Sequence, residues 1–210
     1  MIDYFAWGTP NNHRVSIMLE ELELDYTVHP RNIRQRENFS PEILAINPMG
    51  KLPVLIDRDP SLAEPVALFE SGAILFYFAE KTGRFLPSGL RERAECMTWF
   101  MFVLTQVGQR LNASHHYRAL APERLPQAIA HHDADSRRVF AALDSHLAER
   151  TYLAGDYSIA DIACFPWIGR HYWAEIELTE YPALNRWFQR IAERPAVQRG
   201  LAVPGEGVVW

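Results

Sequence analysis

Asn47-Pro48-Met49-Gly50-Lys51-Leu52-Pro53-Val54-Leu55-Ile56 reads as a helix stop followed at once by a strand, and the N-terminal half is organised around it. Pro48 cannot continue a helix, Gly50 suits a turn, and Leu52 to Ile56 is an apolar run with β-branched members. Downstream, a turn around Arg58 to Pro60 leads to a second strand at Val66 to Phe69, so the two runs form a hairpin. Ser71 then caps a helix through Leu75, Phe78 and Ala79 that ends near Lys81-Thr82-Gly83, with glycine just past its end. Upstream, Ile2 to Ala6 is a strand broken by Trp7-Gly8. Thr9 is a good N-cap, Pro10 suits the first helical position, and Val15, Met18, Leu19 and Leu22 come after it at the spacing of an amphipathic helix. Asp25 to Pro30 is a further strand, and Ser40-Pro41-Glu42 opens a helix that runs to about Ile46. The order is βαβαββα, which predicts a mixed four-stranded sheet with helices on both faces.

From Arg91 onward glycine and proline thin out, and Ala94, Trp99, Phe102 and Leu104, then Ile129, Val139, Leu143 and Leu147, fit helices. The fold class is therefore α/β plus all-α, with an α/β domain over 1–82 and an all-helical domain over 90–210. In Asp156-Tyr157-Ser158-Ile159-Ala160-Asp161-Ile162, Ser158 caps a helix and Asp161 returns a bond to the Ser158 N–H. Another helix begins near Pro182 with Leu184, Trp187, Phe188 and Ile191 inward, and Pro195 interrupts the chain beyond it. The apolar tail Val208-Val209-Trp210 is expected to pack.

The 210 residues suit two cores, and 48% apolar with 22% charged residues is ordinary for a soluble protein. No stretch approaches the roughly 20 apolar residues of a membrane span, and the N-terminus lacks the form of a signal peptide, so a cytoplasmic address without membrane partner is expected. A net charge of -5 with scattered arginines argues against a nucleic-acid partner. Cys96 and Cys164 stand far apart, so they build neither a disulfide framework nor a Cys-x-x-Cys site, and any thiol chemistry needs an imported thiol. His115-His116 and His131-His132 come without a convergent acidic or cysteine cluster, and no metal is expected. The aromatic cluster Trp99, Phe100 and Phe102, with Trp167 and Trp173, reads as helix core.

Pro53 is either a plain strand proline or the site of a cis bond that offers the Leu52 backbone to an extended peptide. At Phe69-Glu70-Ser71-Gly72-Ala73-Ile74 a carboxylate, a hydroxyl and a helix N-terminus coincide. That corner suits an amino-acid head group, its carboxylate at Ser71 and its ammonium at Glu70, although Ser71 also serves as a simple N-cap and Glu70 could be merely solvated. The order βαβαββα resembles that of thioredoxin-like oxidoreductases, and Thr9-Pro10-Asn11-Asn12 stands where the resemblance would place their Cys-Pro-x-Cys, without either sulfur. A small thiol with a pKa of about 8.5 is only about 3% ionised at neutral pH, and lowering it by about two units takes about 2.7 kcal/mol of differential stabilisation. Helix N–H groups, the Thr9 hydroxyl and the Asn11 amide are the candidates to supply it, with neither side chain acting as a base.

On Asn47 to Pro53, Glu70 to Ile74 and Tyr157 to Asp161, in that order over essentially its whole length, the chain resembles the glutathione transferase family. The resemblance implies a thioredoxin-like N-terminal domain and a C-terminal helical bundle. It implies that Leu52 exchanges backbone bonds with the cysteinyl unit beside cis-Pro53, that Glu70 and Ser71 hold the γ-glutamyl end, that Lys51 and Asn38 approach the glycyl end, and that Ser158 and Asp161 are structural. Thr9-Pro10-Asn11 followed by His13 and Glu20-Glu21 most resembles the bacterial nu-class branch, whose members reduce disulfides with bound glutathione in place of protein cysteines. This implies glutathione as cosubstrate, a small electrophile or disulfide as second substrate, catalysis through Thr9 and Asn11, and a homodimer with contacts around Arg91 to Leu111. The branch pattern is Thr-Pro-Asn-Gly, so Asn12 departs from it where it would crowd or polarise the site. The basic residue that the branch brings from its helical domain is replaced around His131. The alternative function is a non-catalytic glutathione carrier or interaction module of the same fold.

Overall fold

The computed structural model describes residues 1–205, and the tail segment Val208-Val209-Trp210 lies outside them. Two compact units emerge, one formed by Met1–Arg84 with the segment that begins at Arg194, the other by Phe85–Glu193.

In the first unit, β1 (Ile2–Ala6), β2 (Tyr26–Pro30), β3 (Val54–Asp57) and β4 (Val66–Phe69) lie in the order β2-β1-β3-β4. β1 runs parallel to β2 and antiparallel to β3, and β3 pairs antiparallel with β4, with Tyr4 facing Leu55 and Leu55 facing Leu68. This is the thioredoxin-like sheet. β3 starts two residues later than the apolar run suggests, because Leu52-Pro53 leaves the ladder at a prolyl nitrogen that has no N–H to give. The crossover helix α1 (Pro10–Glu21) starts at Thr9, whose φ of -114° and ψ of 156° are those of an N-cap, and α2 (Pro41–Ile46) and α3 (Ser71–Thr82) complete the unit's expected helices. α3 ends at Gly83 with φ +66°, the left-handed conformation that glycine adopts without penalty.

α1 departs from a simple amphipathic reading. His13, Arg14, Ser16 and Glu21 are buried along with Val15, Met18 and Leu19, and at Ser16, Ile17 and Glu21 the cover is a second stretch of chain on the face that the sequence pattern assigns to solvent. That stretch holds α9 (Pro195–Leu201), from the end of the chain. Ser16 Oγ donates to the Gly200 carbonyl at 2.6 Å, and Glu21 takes Arg194 in a two-pronged ion pair at 2.6 and 2.8 Å. Gly200 lies so close to Ile17 that a Cβ there would sit 2.7 Å from the Ile17 backbone, which explains a glycine inside this helix.

The second unit is helical: α4 (Leu90–Phe102), a π-helical turn at Val103–Val107, α5 (Gly108–His115), a second π-helical turn at His116–Leu120, α6 (Pro126–His146), α7 (Ile159–Ile168) and α8 (Pro182–Ala192). Its core holds Phe100, Val103, Leu111, Phe140, Leu143, Ile162, Leu184 and Trp187. The expected capping box forms, and Asp161 extends it: Oδ2 accepts from the Ser158 N–H, while Oδ1 accepts from the Leu153 N–H at 3.0 Å and from Trp187 Nε1 at 2.8 Å. Among the described residues no helix is long and apolar enough to cross a membrane.

Candidate active site

Most candidate residues of the first unit gather at one end of its sheet. Phe5 pairs with Val54 and Val54 with Phe69, so one and two steps beyond the ladder Pro53 and Leu52 come alongside Glu70 and Ser71. β1 leaves the sheet at the same end, and its chain turns through Trp7-Gly8 into α1, with the Thr9 N–H donating to the Trp7 carbonyl at 2.7 Å. Two helix N-termini, those of α1 and α3, therefore meet at one sheet edge, where their partial positive charge favours anions.

One buried side chain joins them. Arg14, only 4% exposed, donates from Nη1 to Asn11 Oδ1 at 2.9 Å and to Ser71 Oγ at 3.2 Å. With its oxygen held by the guanidinium, the Asn11 amide turns its N–H bonds away from Arg14, and Ser71 keeps its own proton to donate. Ser71 is expected as the N-cap of α3, but Glu70 holds that place with φ +67° and no side-chain cap bond, while Ser71 is the first helical residue. The Glu70 carbonyl accepts the first helical bond, from the Ile74 N–H, and the Ser71 hydroxyl accepts from Arg14. Glu70 is exposed.

The Leu52-Pro53 bond is cis. Among the described residues Leu52 has no backbone hydrogen-bond partner, which leaves an N–H and a carbonyl for an extended ligand. The loop before it is built by two asparagines. Asn47 Nδ2 donates to the Lys51 carbonyl at 2.8 Å, and Asn38, itself buried, donates to the Gly50 carbonyl at 2.6 Å. Gly50 has φ +60°, and a Cβ there would meet the Phe39 ring at 2.6 Å. Lys51 is exposed. Asn38 thus braces the loop that carries Lys51.

At the start of α1 the Thr9 oxygen accepts from Asn12 Nδ2 at 2.6 Å and from the Asn12 N–H at 3.4 Å. Asn12 faces inward, and its carbonyl takes the Tyr4 hydroxyl at 2.6 Å. Burial pushes the Tyr4 phenol well above its ordinary value, so this tyrosine stays neutral and structural. His131 lies on α6 with an exposed side chain, 3.9 Å from Asp135. Among the described residues no group of three or more His, Cys, Asp or Glu is arranged to hold a metal ion.

Arg14 and Asn47 are absent from the candidate residues read from the sequence. For Arg14 the available signal is its i, i+3 spacing from Asn11, which puts both on one helix face, but its bond to Ser71 spans 57 positions and leaves no local trace.

This thioredoxin-like sheet gathers hydroxyl, amide and helix N–H donors at one end, an arrangement that suits an anionic ligand. The family descriptions "Glutathione S-transferase, N-terminal domain" and "Glutathione S-transferase, C-terminal domain" match residues 1–80 and 97–195. The chain belongs to the glutathione S-transferase family. It is similar to disulfide-bond oxidoreductase YfcG of Escherichia coli strain K12, with 41% identity over 203 residues that span 96% of this chain and 94% of the relative. Disulfide-bond oxidoreductase YghU of the same organism is 35% identical over 216 residues, 96% of this chain and 74% of the relative. Among solved structures, a glutathione transferase from Burkholderia graminis with two glutathione molecules bound per subunit aligns with a TM-score of 0.92 at 33% identity, over 98% of this chain and 89% of that one. One from Pseudomonas putida, with one glutathione disulfide bound per subunit, aligns with a TM-score of 0.90 at 33% identity, over 97% and 92% of the two chains.

Proposed function

We propose that this protein is a glutathione-dependent disulfide oxidoreductase that binds glutathione at the sheet edge of its first unit and reacts through the bound thiolate. The observation that carries the reading is the pair Thr9 and Asn11 at the start of α1, both with oxygens engaged from within, which turns their protons toward a sulfur anion. Leu52 supplies a backbone edge for the cysteinyl unit, Ser71 and the α3 N-terminus receive the γ-glutamyl carboxylate, and Glu70 receives its ammonium. Lys51 serves the glycyl carboxylate, on a loop held by Asn38.

The chemistry is thiol–disulfide exchange. The bound thiolate attacks one sulfur of a disulfide, a mixed disulfide forms, and the other sulfur leaves as a thiolate that takes a proton from water. A second glutathione thiolate then attacks the glutathione sulfur of the mixed disulfide, releasing the second substrate thiol and glutathione disulfide. Two thiols are oxidised and one disulfide is reduced. The two glutathiones bound per subunit in the Burkholderia graminis protein support room for both tripeptides.

The reading includes a cytoplasmic homodimer. Leu90 and Met101, exposed apolar residues at the two ends of α4, support a contact along that helix. The test is turnover of a glutathione mixed disulfide in a reductase-coupled assay. Turnover well above buffer is expected, and none from folded protein would reject the redox reading.

A further inference from the structure

Thr9 is the N-cap of α1, and a residue three positions on often reaches back to the backbone N–H of such a cap. Here that N–H is already bound to the Trp7 carbonyl, and Asn12, in the third helical position, reaches the Thr9 hydroxyl oxygen instead. Asn12 is 1% exposed and lies beneath Thr9, anchored at its carbonyl by Tyr4. A hydroxyl has one proton and two lone pairs, and both bonds from Asn12 enter at the oxygen. The Asn12 atom that has no partner is Oδ1. The opposite amide orientation would put the Asn12 NH2 where no acceptor stands and leave both its N–H bonds buried and unpaired, a costlier arrangement than one unpaired carbonyl oxygen.

We infer that Asn12 is a positioning residue that holds the Thr9 oxygen inward, so that the Thr9 proton is directed at the bound sulfur. This rests on the thiolate reading of the site. Glycine in the fourth place of the Thr-Pro-Asn-Gly pattern has no side chain for this bond, and there the hydroxyl would be oriented only by the backbone N–H. In this chain the asparagine does not enter the ligand space. It converts a freely turning hydroxyl into a fixed donor, as Arg14 does for the Asn11 amide.

The experiment is a double-mutant cycle on the full chain, read by ultraviolet absorbance of the thiolate of bound glutathione across pH. Thr9→Val should raise the pKa of the bound sulfur by about one unit, the size of one hydrogen bond to an anion. In the Asn12→Leu background the same substitution should raise it by about a third of that or less, because the donor is no longer fixed. Calorimetric affinity for glutathione should change by less than about threefold in Asn12→Leu, since Asn12 does not touch the tripeptide. Equal shifts in the two backgrounds would overturn the inference and leave the thiolate reading intact. A sulfur that keeps its solution acidity in the unmodified protein would overturn both. Should Asn12→Leu fail to fold, Asn12→Gly leaves no side chain to mispack, and the same cycle decides.

Discussion

In the proposed site the oxygens of Thr9, Asn11 and Ser71 are each held from within the protein, by Asn12 and Arg14. Arg14 takes the oxygens of Asn11 and Ser71, so the side chains facing the site present protons and not lone pairs, which is the polarity an anion requires. The roles of Asn11 and Arg14 should separate in kinetics. On the proposed reading Asn11→Ala removes a donor to the ionised sulfur, and kcat is expected to fall by about tenfold or more with a change in glutathione KM within about threefold. Arg14→Met frees Asn11 and Ser71 together, so KM should rise and kcat should fall in the same variant. Initial rates over a glutathione series check both, and unchanged rates in Asn11→Ala would move the catalytic role elsewhere.

At the scale of elements, two contacts set how firmly the scaffold is held. α9 packs directly on α1, and it approaches this closely because residue 200 has no side chain. Gly200→Ala should cost about 1–3 kcal/mol, as overpacking against a backbone does, and should appear as a lower urea midpoint. In the helical unit, burial pushes the Asp161 carboxyl up from 3.8 to about 6, against the opposing pull of the hydrogen bonds from Trp187, Leu153 and Ser158. A raised carboxyl pKa means that the folded state holds a proton the unfolded chain has released. This group's contribution to stability is therefore fully present below about pH 4, falls as pH rises through about 6, and is constant above, with a total of about 3 kcal/mol. A carbon-13 titration of the Asp161 carboxyl with its midpoint near 6 is expected, and a midpoint near 3.8 would contradict it.

At the scale of the whole molecule, the chain closes on itself, since Arg194 and Arg199 return to Glu21 and Glu20 across more than 170 positions. The site-bearing helix α1 is thus fixed by the last helix of the described chain as well as by the sheet. The proposed homodimer should sediment at about twice the 24.2 kDa of one chain, independent of added glutathione. A species of single-chain mass at micromolar concentration would remove that part of the proposal.

The sequence by itself determined everything that local periodicity and turn chemistry encode. The order βαβαββα, the N-cap at Thr9, the glycine stop at Gly83 and the Ser158–Asp161 capping box depend on residues within a few positions of each other, and each formed as its pattern requires. The places of the candidate residues Thr9, Asn11, Leu52, Pro53, Glu70 and Ser71 were legible for the same reason, as they lie at or beside strand ends and helix starts. Only the tertiary structure decided which way their hydrogen bonds run. The pattern of Val15, Met18, Leu19 and Leu22 marks one buried face of α1 but carries no sign of α9, so the burial of Ser16 and Glu21 was hidden. Ser71 likewise reads as a cap, and its bond from Arg14, 57 positions away, leaves no trace in the local sequence. Such bonds join residues that are distant in the chain, and one sequence records distance along the chain but not closeness across the fold.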